Sequence, residues 1–324
     1  MTGPLRIGIL GAAKIAPGAL ITPAKETGVA VAYAVAARDP ARAAAFALAH
    51  GIEVVAESYE ALIHHPDVDV IYNALPPSRH ADLSIMALQA GKPVLCEKPF
   101  CMNSEQARAM TTAADSAGVL LMEAFHYRYH PLFLRVVELL RGGEIGEIEG
   151  IEAEFSVPIP FAPGELRHVP ALGGGALMDL GTYALHWCRS VAGSEPTVTS
   201  AACVFSDQGV DLETDAVLDF AGVPARARCS MQPGPFKATL QVTGRLGVLT
   251  VTNPLAPQMG HRLTLAGKGE PMQETFTREA TYNFQLRAFV EAVRDGAMPV
   301  TSGQDSVSQM ALIDAIYAAA GRKL

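Results

Sequence analysis

Residues 7–16 read Ile-Gly-Ile-Leu-Gly-Ala-Ala-Lys-Ile-Ala, a short apolar run that passes directly into a glycine turn. Such a run is typical of a buried parallel strand, and the turn has the spacing of the dinucleotide-binding fingerprint between a strand and a helix. Ala13 occupies the second glycine position, where a missing Cβ normally lets backbone amides approach a pyrophosphate. The stretch predicts a Rossmann turn whose cofactor contacts come from Gly11, Ala13, Lys14 and Ile15. The alternative is a tight turn that binds nothing.

A second apolar run, residues 29–37, ends on Arg38 and Asp39 and indicates the next buried strand. Asp39 can cap a helix that begins at Pro40, which leaves Arg38 as the residue at the strand tip. An acid at this tip would bind the ribose 2′-hydroxyl of NAD, whereas arginine accepts the 2′-phosphate of NADP. We therefore expect NADP, with Arg42 as a second cation and NAD as the alternative cofactor. A solvated surface role for Arg38 stays open.

Two more strands in this half end in polar loops. Residues 68–75 form an apolar run that stops at a pair of prolines, and residues 92–96 lead into Glu97-Lys98-Pro99. The carboxyl ends of parallel strands share one edge of the sheet, and doubly wound folds bind their ligands at that edge. The expected cofactor contacts here are Leu75, Pro76, His80, Glu97 and Lys98. For His80, a surface or capping role is the open alternative.

The second half of the chain has a different pattern, which begins at Glu123. Residues 148–156 indicate a long strand, and about six more strands follow over residues 197–266, separated by tight turns. Strands joined in this way favour a largely antiparallel sheet. Two amphipathic helices, near residues 282–295 and 304–320, are expected to cover that sheet.

The length of 324 residues is more than one core usually serves, so we expect two domains. The fold class is predicted to be α/β. Residues 1–122 are predicted to form a dinucleotide-binding Rossmann domain. Residues 123–324 are predicted to form an α+β domain for substrate binding and oligomerisation, built on a large, open, mostly antiparallel sheet.

Charge and apolar content exclude several classes of protein. The chain has 25 basic and 33 acidic side chains, and its formal charge of -8 leaves no basic surplus for the phosphates of a nucleic acid. The start has no basic segment followed by a long apolar one, and no apolar run approaches the ~20 residues of a membrane span. The scattered cysteines lack the spacing of metal ligands. His126 and His130 lie four apart and could meet on one helix face as ligands, but no third ligand has a matching spacing. We expect a soluble, cytoplasmic protein with no nucleic-acid, membrane or metal partner.

A glycine-rich segment opens a helix in the second half. Residues 172–187 read Leu-Gly-Gly-Gly-Ala-Leu-Met-Asp-Leu-Gly-Thr-Tyr-Ala-Leu-His-Trp, in which three glycines allow a strained loop and the remainder has helical spacing. On such a helix Asp179 and Tyr183 lie four apart and share a face. The open alternative is an ordinary docking helix whose tyrosine only packs. Upstream, Arg128 lies among aromatic residues and is a candidate for contact with a polar substrate.

Together these segments resemble the glucose–fructose oxidoreductase/inositol dehydrogenase/rhizopine catabolism (Gfo/Idh/MocA) family. The resemblance is carried, in order over nearly the whole chain, by the turn at residues 11–16, the Glu97-Lys98-Pro99 tip, Met122-Glu123-Ala124-Phe125 and the segment from Gly173 to Tyr183. Many members carry histidine at the position of Tyr183. Tyrosine there resembles the branch that contains dimeric dihydrodiol/D-xylose dehydrogenase, whose members largely use NADP.

The resemblance implies NADP-dependent hydride transfer at a carbon of a sugar, polyol or cyclic diol, in a homodimer or homotetramer built through the second sheet. It also implies that Lys98 and Tyr183 are the proton-transfer pair, and that Asp179 binds substrate hydroxyls or orients the tyrosine. The chemistry agrees, because a phenol with an ordinary pKa of about 10 becomes a workable base beside an ammonium group. The alternatives are a catalytically silent NAD(P)-sensing regulator and a reductase of a non-sugar substrate.

Overall fold

The computed structural model describes residues 3–267 and 270–322, which form two compact units. The first unit contains the described residues up to His126 together with Tyr282–Val307, and the second contains Tyr127–Thr281 and the described residues from Ser308 onward. The chain therefore returns to the first unit after it has built most of the second.

The first unit is built on a parallel sheet. Its strands are β1 (Leu5–Leu10), β2 (Ala30–Ala36), β3 (Val54–Val55), β4 (Val70–Asn73), β5 (Val94–Cys96) and β6 (Leu121–Glu123). The strands lie in the order β3-β2-β1-β4-β5-β6, and every pair is parallel. This order reverses direction between β1 and β4, and a ligand crevice is expected at that switch point, outside the carboxyl ends of the strands.

The helices of the described chain follow the predicted alternation in the first half. They are α1 (Thr22–Thr27), α2 (Pro40–His50), α3 (Tyr59–Ile63), α4 (His80–Gln89), α5 (Ser104–Ala117), α6 (Pro131–Arg141), α7 (Thr182–Ala192), α8 (Thr281–Asp295) and α9 (Gly303–Ala319). Side-chain caps explain where two of these helices, α2 and α5, begin. The Asp39 carboxylate accepts from the backbone N–H of Ala41, as the sequence predicts, and Asn103 accepts from the N–H of Gln106 at the start of α5.

Helix α8 was expected to cover the second sheet, and this expectation is wrong. The helix belongs to the first unit, where Asn283 donates to Glu26 at 2.9 Å and Arg294 donates to the carbonyl of Gly3 at 2.6 Å. Amphipathic spacing shows that a helix has a buried face, but it carries no information about which sheet that face will meet.

The second unit is built on an eight-stranded sheet within the described residues. Its strands are β7 (Ile148–Ser156), β8 (Thr197–Phe205), β9 (Asp211–Phe220), β10 (Val223–Ser230), β11 (Lys237–Gly244), β12 (Gly247–Thr252), β13 (Arg262–Gly267) and β14 (Met272–Glu274). The order is β14-β13-β12-β11-β7-β10-β9-β8. All pairs are antiparallel except β7 with β10, so the predicted mostly antiparallel sheet is confirmed.

Helix α7 packs on one face of this sheet, and its residues from Thr182 to Arg189 are all buried. The strands beneath it alternate buried and more exposed positions, which is the pattern of a sheet with one covered face. A row on the other face, formed by Glu152, Arg226 and Gln241 on three neighbouring strands, is exposed. Over the described part of the chain, the structure contains no helix that is both long and apolar enough to cross a bilayer.

Candidate active site

The turn after β1 requires glycine at one position. Gly11 has a φ of +97°, which favours glycine, and a Cβ added there would lie 2.9 Å from a side-chain methyl of Leu75. The N–H of Gly11 donates to the carbonyl of Ala36, so the turn is tied to the end of β2. Lys14 and Ile15 follow with exposed side chains. The structure thus brings the predicted turn residues to the carboxyl edge of the first sheet.

The tip of β2 presents a cation. Arg38 is exposed, while Asp39 uses its carboxylate to cap α2 and accepts from the N–H groups of Ala41 and Arg42 at 2.9 and 3.4 Å. The guanidinium of Arg42 donates from Nη2 to the carbonyl of Ala12 at 2.8 Å. Arg42 therefore braces the glycine turn directly, a contact that sequence spacing did not predict.

His80 joins two loops at the same edge. Its Nε2 lies 2.6 Å from the carbonyl oxygen of Leu75, and its Nδ1 lies 3.0 and 3.2 Å from the carbonyls of Pro99 and Phe100. The ring is buried, and burial lowers its pKa while the carbonyls act in the opposite direction. The structure therefore shows His80 as a brace between the loop after β4 and the loop after β5, and direct contact with a cofactor stays a prediction.

The tip of β5 carries Glu97 and the half-buried Lys98. The hydroxyl of Tyr72 donates to Glu97 Oε1 at 2.6 Å. Burial, followed by the charge of Glu97, raises the pKa of Tyr72 well above its usual value, so this hydroxyl stays protonated. Burial, followed by the charge of Glu97, also raises the pKa of Tyr282, whose ring packs on His126 with centroids 4.0 Å apart. The carboxylate of Glu97 is thus held at one oxygen by the hydroxyl of Tyr72.

In the second unit, Asp179 lies on a π-helical turn, Leu177–Gly181, that runs directly into α7. Its Oδ2 accepts a hydrogen bond from Arg167 Nε at 2.6 Å, and Arg167 Nη1 donates to Glu165 at 2.9 Å. The carbonyl of Arg167 also accepts from the N–H of Gly175 at 3.0 Å. Charge and backbone therefore tie the loop of Arg167 to the glycine-rich segment at two points, and π turns of this kind are frequent at functional sites.

Tyr183 lies in the first turn of α7, and its side chain is 4% exposed. Its ring makes edge contacts with Phe155 at 5.7 Å and Tyr127 at 6.2 Å, measured between centroids. The hydroxyl of Tyr127 and Nδ1 of His186 are 2.6 Å apart and form a buried hydrogen bond. Trp187 lies one turn further along α7 and also contacts Phe155. The tyrosine is thus held in an aromatic cluster that restricts the motion of its ring.

The remaining predicted residues have structural contacts of their own. The guanidinium of Arg128 lies 5.2 Å from the ring centroid of Phe133, so its predicted contact with substrate is untested. His130 Nδ1 accepts from the N–H of Leu132 and caps α6. Among the described residues there is no group of three histidine, cysteine, aspartate or glutamate side chains that could hold a metal ion.

Sequence reasoning missed several members of these clusters. Arg167 follows an irregular loop and lies 12 residues before Asp179, so helical spacing gave no hint of their ion pair. The sequence pattern places Tyr72 in an apolar strand and Tyr282 in a helix, and neither pattern predicts a contact with Glu97. An aromatic residue with a hydroxyl in a fully buried strand is the one signal that was available, because a buried hydroxyl needs a partner.

Two family models match the chain in the order of its two units. Residues 5–125 match an oxidoreductase family with an NAD-binding Rossmann fold, and residues 133–250 match the GFO/IDH/MocA C-terminal domain. The chain belongs to the GFO/IDH/MocA oxidoreductase family. The predicted family, α/β fold class and enzyme class are confirmed.

Named relatives match between 58% and 98% of the chain. D-xylose 1-dehydrogenase (NADP(+)) 2 of Haloferax volcanii is 37% identical over 98% of this chain and 97% of its own length. Trans-1,2-dihydrobenzene-1,2-diol dehydrogenase of Xenopus laevis is 41% identical over 58% of this chain and 57% of its own length. The crystal structure of a 3-ketoreductase from Actinomadura kijaniata, in complex with NADP and TDP-benzene, superposes with a TM-score of 0.91 at 30% identity and covers 98% of both chains.

Proposed function

We propose that this chain is an NADP-dependent oxidoreductase that transfers a hydride between nicotinamide and a carbinol or carbonyl carbon of a sugar, polyol or cyclic diol. Lys98 and Tyr183 are the proposed proton-transfer pair. The similarity to an NADP-using xylose dehydrogenase and to a dihydrobenzenediol dehydrogenase supports the reaction class. The 3-ketoreductase has also been solved with a lysine replaced by alanine or glutamate and with a tyrosine replaced by phenylalanine, and this choice of substitutions supports the pair.

The cofactor assignment rests on one observation, which is that Arg38 is exposed while the carboxylate of the neighbouring Asp39 is used to cap α2. Because the Asp39 carboxylate already caps α2, the tip of β2 offers a cation to a 2′-phosphate rather than an anion to a 2′-hydroxyl. The turn at Gly11 supports a dinucleotide site, since its φ of +97° favours glycine at the first position of the dinucleotide-binding fingerprint. The other residues proposed to hold NADP are Ala13, Lys14, Ile15, Arg42, Leu75, Pro76, His80, Glu97 and Lys98.

When it is bound, the nicotinamide supplies the redox chemistry by accepting or donating the hydride. The side chains of the protein must transfer the proton of the substrate oxygen. In this proposal Tyr183 takes that proton in the oxidative direction and returns it in the reductive one, while the ammonium of Lys98 favours the phenolate. Contacts with Phe155 and Tyr127 keep the phenol ring in one orientation, so little rotational freedom is lost when the substrate binds.

Asp179 is proposed to bind substrate hydroxyls or to orient Tyr183. Its Oδ2 accepts a hydrogen bond from Arg167 Nε at 2.6 Å, which fixes one of its two oxygens. A carboxylate held in this way is suited to accept hydrogen bonds from a polyol. Arg128 is the further proposed contact with a polar substrate.

The test is an absorbance assay at ~340 nm, the band of the reduced nicotinamide, with NADP or NAD and a panel of aldoses, inositols, cyclic diols and 3-keto sugars. We expect turnover with NADP on one sugar or diol class. Lys98→Met and Tyr183→Phe should each lower kcat at least ~100-fold while NADP still binds, because proton transfer and not cofactor affinity is lost. Arg245→Met, which removes an exposed cation paired with the exposed Glu147, is the matched control and should stay within about twofold of the parent.

Near-normal rates in both variants would refute the proton-transfer pair. NADP binding without turnover on any compound would instead favour the catalytically silent sensor, and turnover confined to non-sugar carbonyls would favour the alternative reductase. Preference for NAD by the unmodified protein would overturn the role of Arg38.

We also propose that the protein is a cytoplasmic homodimer or homotetramer formed through the second-unit sheet. The exposed row of Glu152, Arg226 and Gln241 supports this, because a face without a covering layer is available for pairing. Sedimentation of the parent and of Gln241→Arg, which replaces a neutral side chain of the row by a second cation, tests the interface. An unchanged monomer in both would refute it.

A further inference from the structure

One carboxylate that is not among the proposed catalytic residues is completely buried, and it packs against the glycine-rich segment from a neighbouring strand. Asp211, the first residue of β9, is 0% exposed. Its Oδ2 accepts from the backbone N–H of Leu177 at 2.7 Å and from the hydroxyl of Thr214 at 2.9 Å, and its Oδ1 accepts from the hydroxyl of Tyr317 at 2.7 Å. Burial raises the pKa of Asp211, and these hydrogen bonds act in the opposite direction. The carboxylate is thus held by three different elements.

The glycine-rich segment is shaped to fit against this group. Gly175 has a φ of +131°, and a Cβ built on it would lie 2.2 Å from Asp211 Oδ1. Further along, a Cβ on Gly181 would lie 2.8 Å from Cys229 Sγ on β10. Two glycines of the motif are therefore explained by close approach of the segment to two neighbouring strands of the sheet.

The hydrogen bond between Asp211 and Leu177 lies at the start of the helical run, the π turn followed by α7, that carries the proposed catalytic groups. The π turn begins at Leu177 and continues into α7, so Asp179 and Tyr183 follow within the same helical run. Ala176 precedes this run and has no side chain that can cap it. Asp211 caps the helix from strand β9, because its carboxylate accepts a hydrogen bond from the N–H of Leu177 at the helix N-terminus.

We propose that Asp211 is a positioning residue of the reaction, which fixes the start of the helix that carries Asp179 and Tyr183. The inference rests on the proposed function, because it gives these two side chains their roles. Asp211 does not touch substrate or cofactor in this scheme. It anchors the helix to the sheet through Leu177 and to α9 through Tyr317, and a helix that starts in the wrong place moves every side chain behind it.

The experiment compares Asp211→Ala with Asp211→Asn in the full chain. Asparagine can turn its oxygen toward Leu177 and Thr214 and its amide toward the oxygen of Tyr317, so it keeps the anchor without the charge. We expect Asp211→Ala to lower kcat about 10- to 100-fold with unchanged NADP affinity, and Asp211→Asn to stay within about threefold of the parent. Tyr317→Phe removes one of the three hydrogen bonds and should give a smaller loss, which keeps the test available if the alanine variant does not fold.

A second readout does not depend on activity. Trp187 is the only tryptophan of the chain and is fully buried on α7. Displacement of the helix start should shift its fluorescence emission to the red and increase its quenching by acrylamide in Asp211→Ala. The matched control is Asn253→Ala, which removes the amide that holds the loop after β12 through the carbonyls of Ala256 and Gly260. This control should destabilise the same unit and leave kcat and Trp187 unchanged.

Parental kcat and fluorescence in both Asp211→Ala and Tyr317→Phe would overturn the proposal. Losses of kcat that match those of Asn253→Ala at equal stability would overturn it too, because Asp211 would then have only a structural role. Tyr183→Phe is assayed in parallel. If that variant keeps full turnover, the proposed function fails and the catalytic role of Asp211 fails with it, while the fluorescence of Trp187 still decides whether Asp211 fixes the helix.

Discussion

The ion pair between Arg167 and Asp179 offers the sharpest quantitative prediction, because both partners lie within one unit and their geometry is defined. The distance of 2.6 Å from Nε to Oδ2 is that of a charge-assisted hydrogen bond, for which about 1.5–3 kcal/mol is typical. The Arg167 side chain is 36% exposed and that of Asp179 is 15% exposed, so solvent screens part of this energy. We expect a coupling free energy of about 1–2 kcal/mol.

The perturbation is a double-mutant cycle of Arg167→Met, Asp179→Asn and the double variant. With 1.36 kcal/mol per tenfold change, the expected coupling corresponds to about 5- to 30-fold in kcat/KM. Arg167→Met should lower kcat/KM in the parent background, because Asp179 loses the cation that fixes its carboxylate. In the Asp179→Asn background the same substitution should have little further effect.

The assay measures kcat/KM from nicotinamide absorbance and, in the same proteins, the free energy of urea unfolding. Coupling in both quantities means that the pair positions Asp179 for the reaction and also holds the loop. Coupling in the unfolding free energy alone would mean that the pair serves only the fold. Effects on kcat/KM that multiply in the double variant, with a coupling below about 0.5 kcal/mol, would refute the reasoning.

Three further predictions follow from single residues. His130 is buried and its pKa is lowered to about 4, below the ordinary 6.5, so its contribution to stability is full above pH 6.5 and is lost as pH falls toward 4. Urea unfolding at pH 7 and pH 5 should therefore show a loss on the order of 1 kcal/mol that is smaller in His130→Asn. Gly175→Ala should destabilise the protein by about 3 kcal/mol or more in the same assay. Gly234→Ala, whose Cβ would only make an ordinary contact with the carbonyl oxygen of Gln232 at 4.0 Å, should stay within about 0.5 kcal/mol, and equal effects would contradict the close approach to the carboxylate. Arg38→Ala should weaken NADP binding about 10- to 100-fold by calorimetry and leave NAD binding within about threefold, and equal losses would contradict a 2′-phosphate contact.

The parts of the fold that could be predicted from sequence are those determined by neighbours in the chain. Asp39 followed by Pro40 specifies the start of α2 through a cap and a fixed φ, and the structure shows that cap. The apolar strands of the first sheet follow from their buried runs, because a parallel strand covered on both faces has no polar side. The placement of α8 could not be predicted, since its buried face contacts Glu26 and other groups more than 200 residues away.

In the candidate site as well, the sequence predicted features that depend on nearby residues in the chain and missed contacts between residues far apart in the chain. The spacing of Asp179 and Tyr183 predicted a helix. Helical periodicity does not distinguish an α-helical turn from the π turn, Leu177–Gly181, that contains Asp179 and precedes Tyr183. Arg167 reaches Asp179 from an irregular loop, and Asp211 reaches Leu177 from a strand more than 30 residues further along. Such contacts depend on how the loop and the strand return to the helix, and residue spacing does not describe that path.

The departure of the glycine turn from the usual fingerprint has a structural explanation. In the described residues, only Ala221 and Asn253 among non-glycine residues have a positive φ, so the backbone of Ala13 lies in a region that any L-residue adopts. The position of the turn that favours glycine is Gly11, because its φ is +97° and a Cβ there would lie close to Leu75. Alanine at position 13 therefore adds a methyl group to the turn without backbone strain, and the effect of this departure should be limited to the space left for the pyrophosphate.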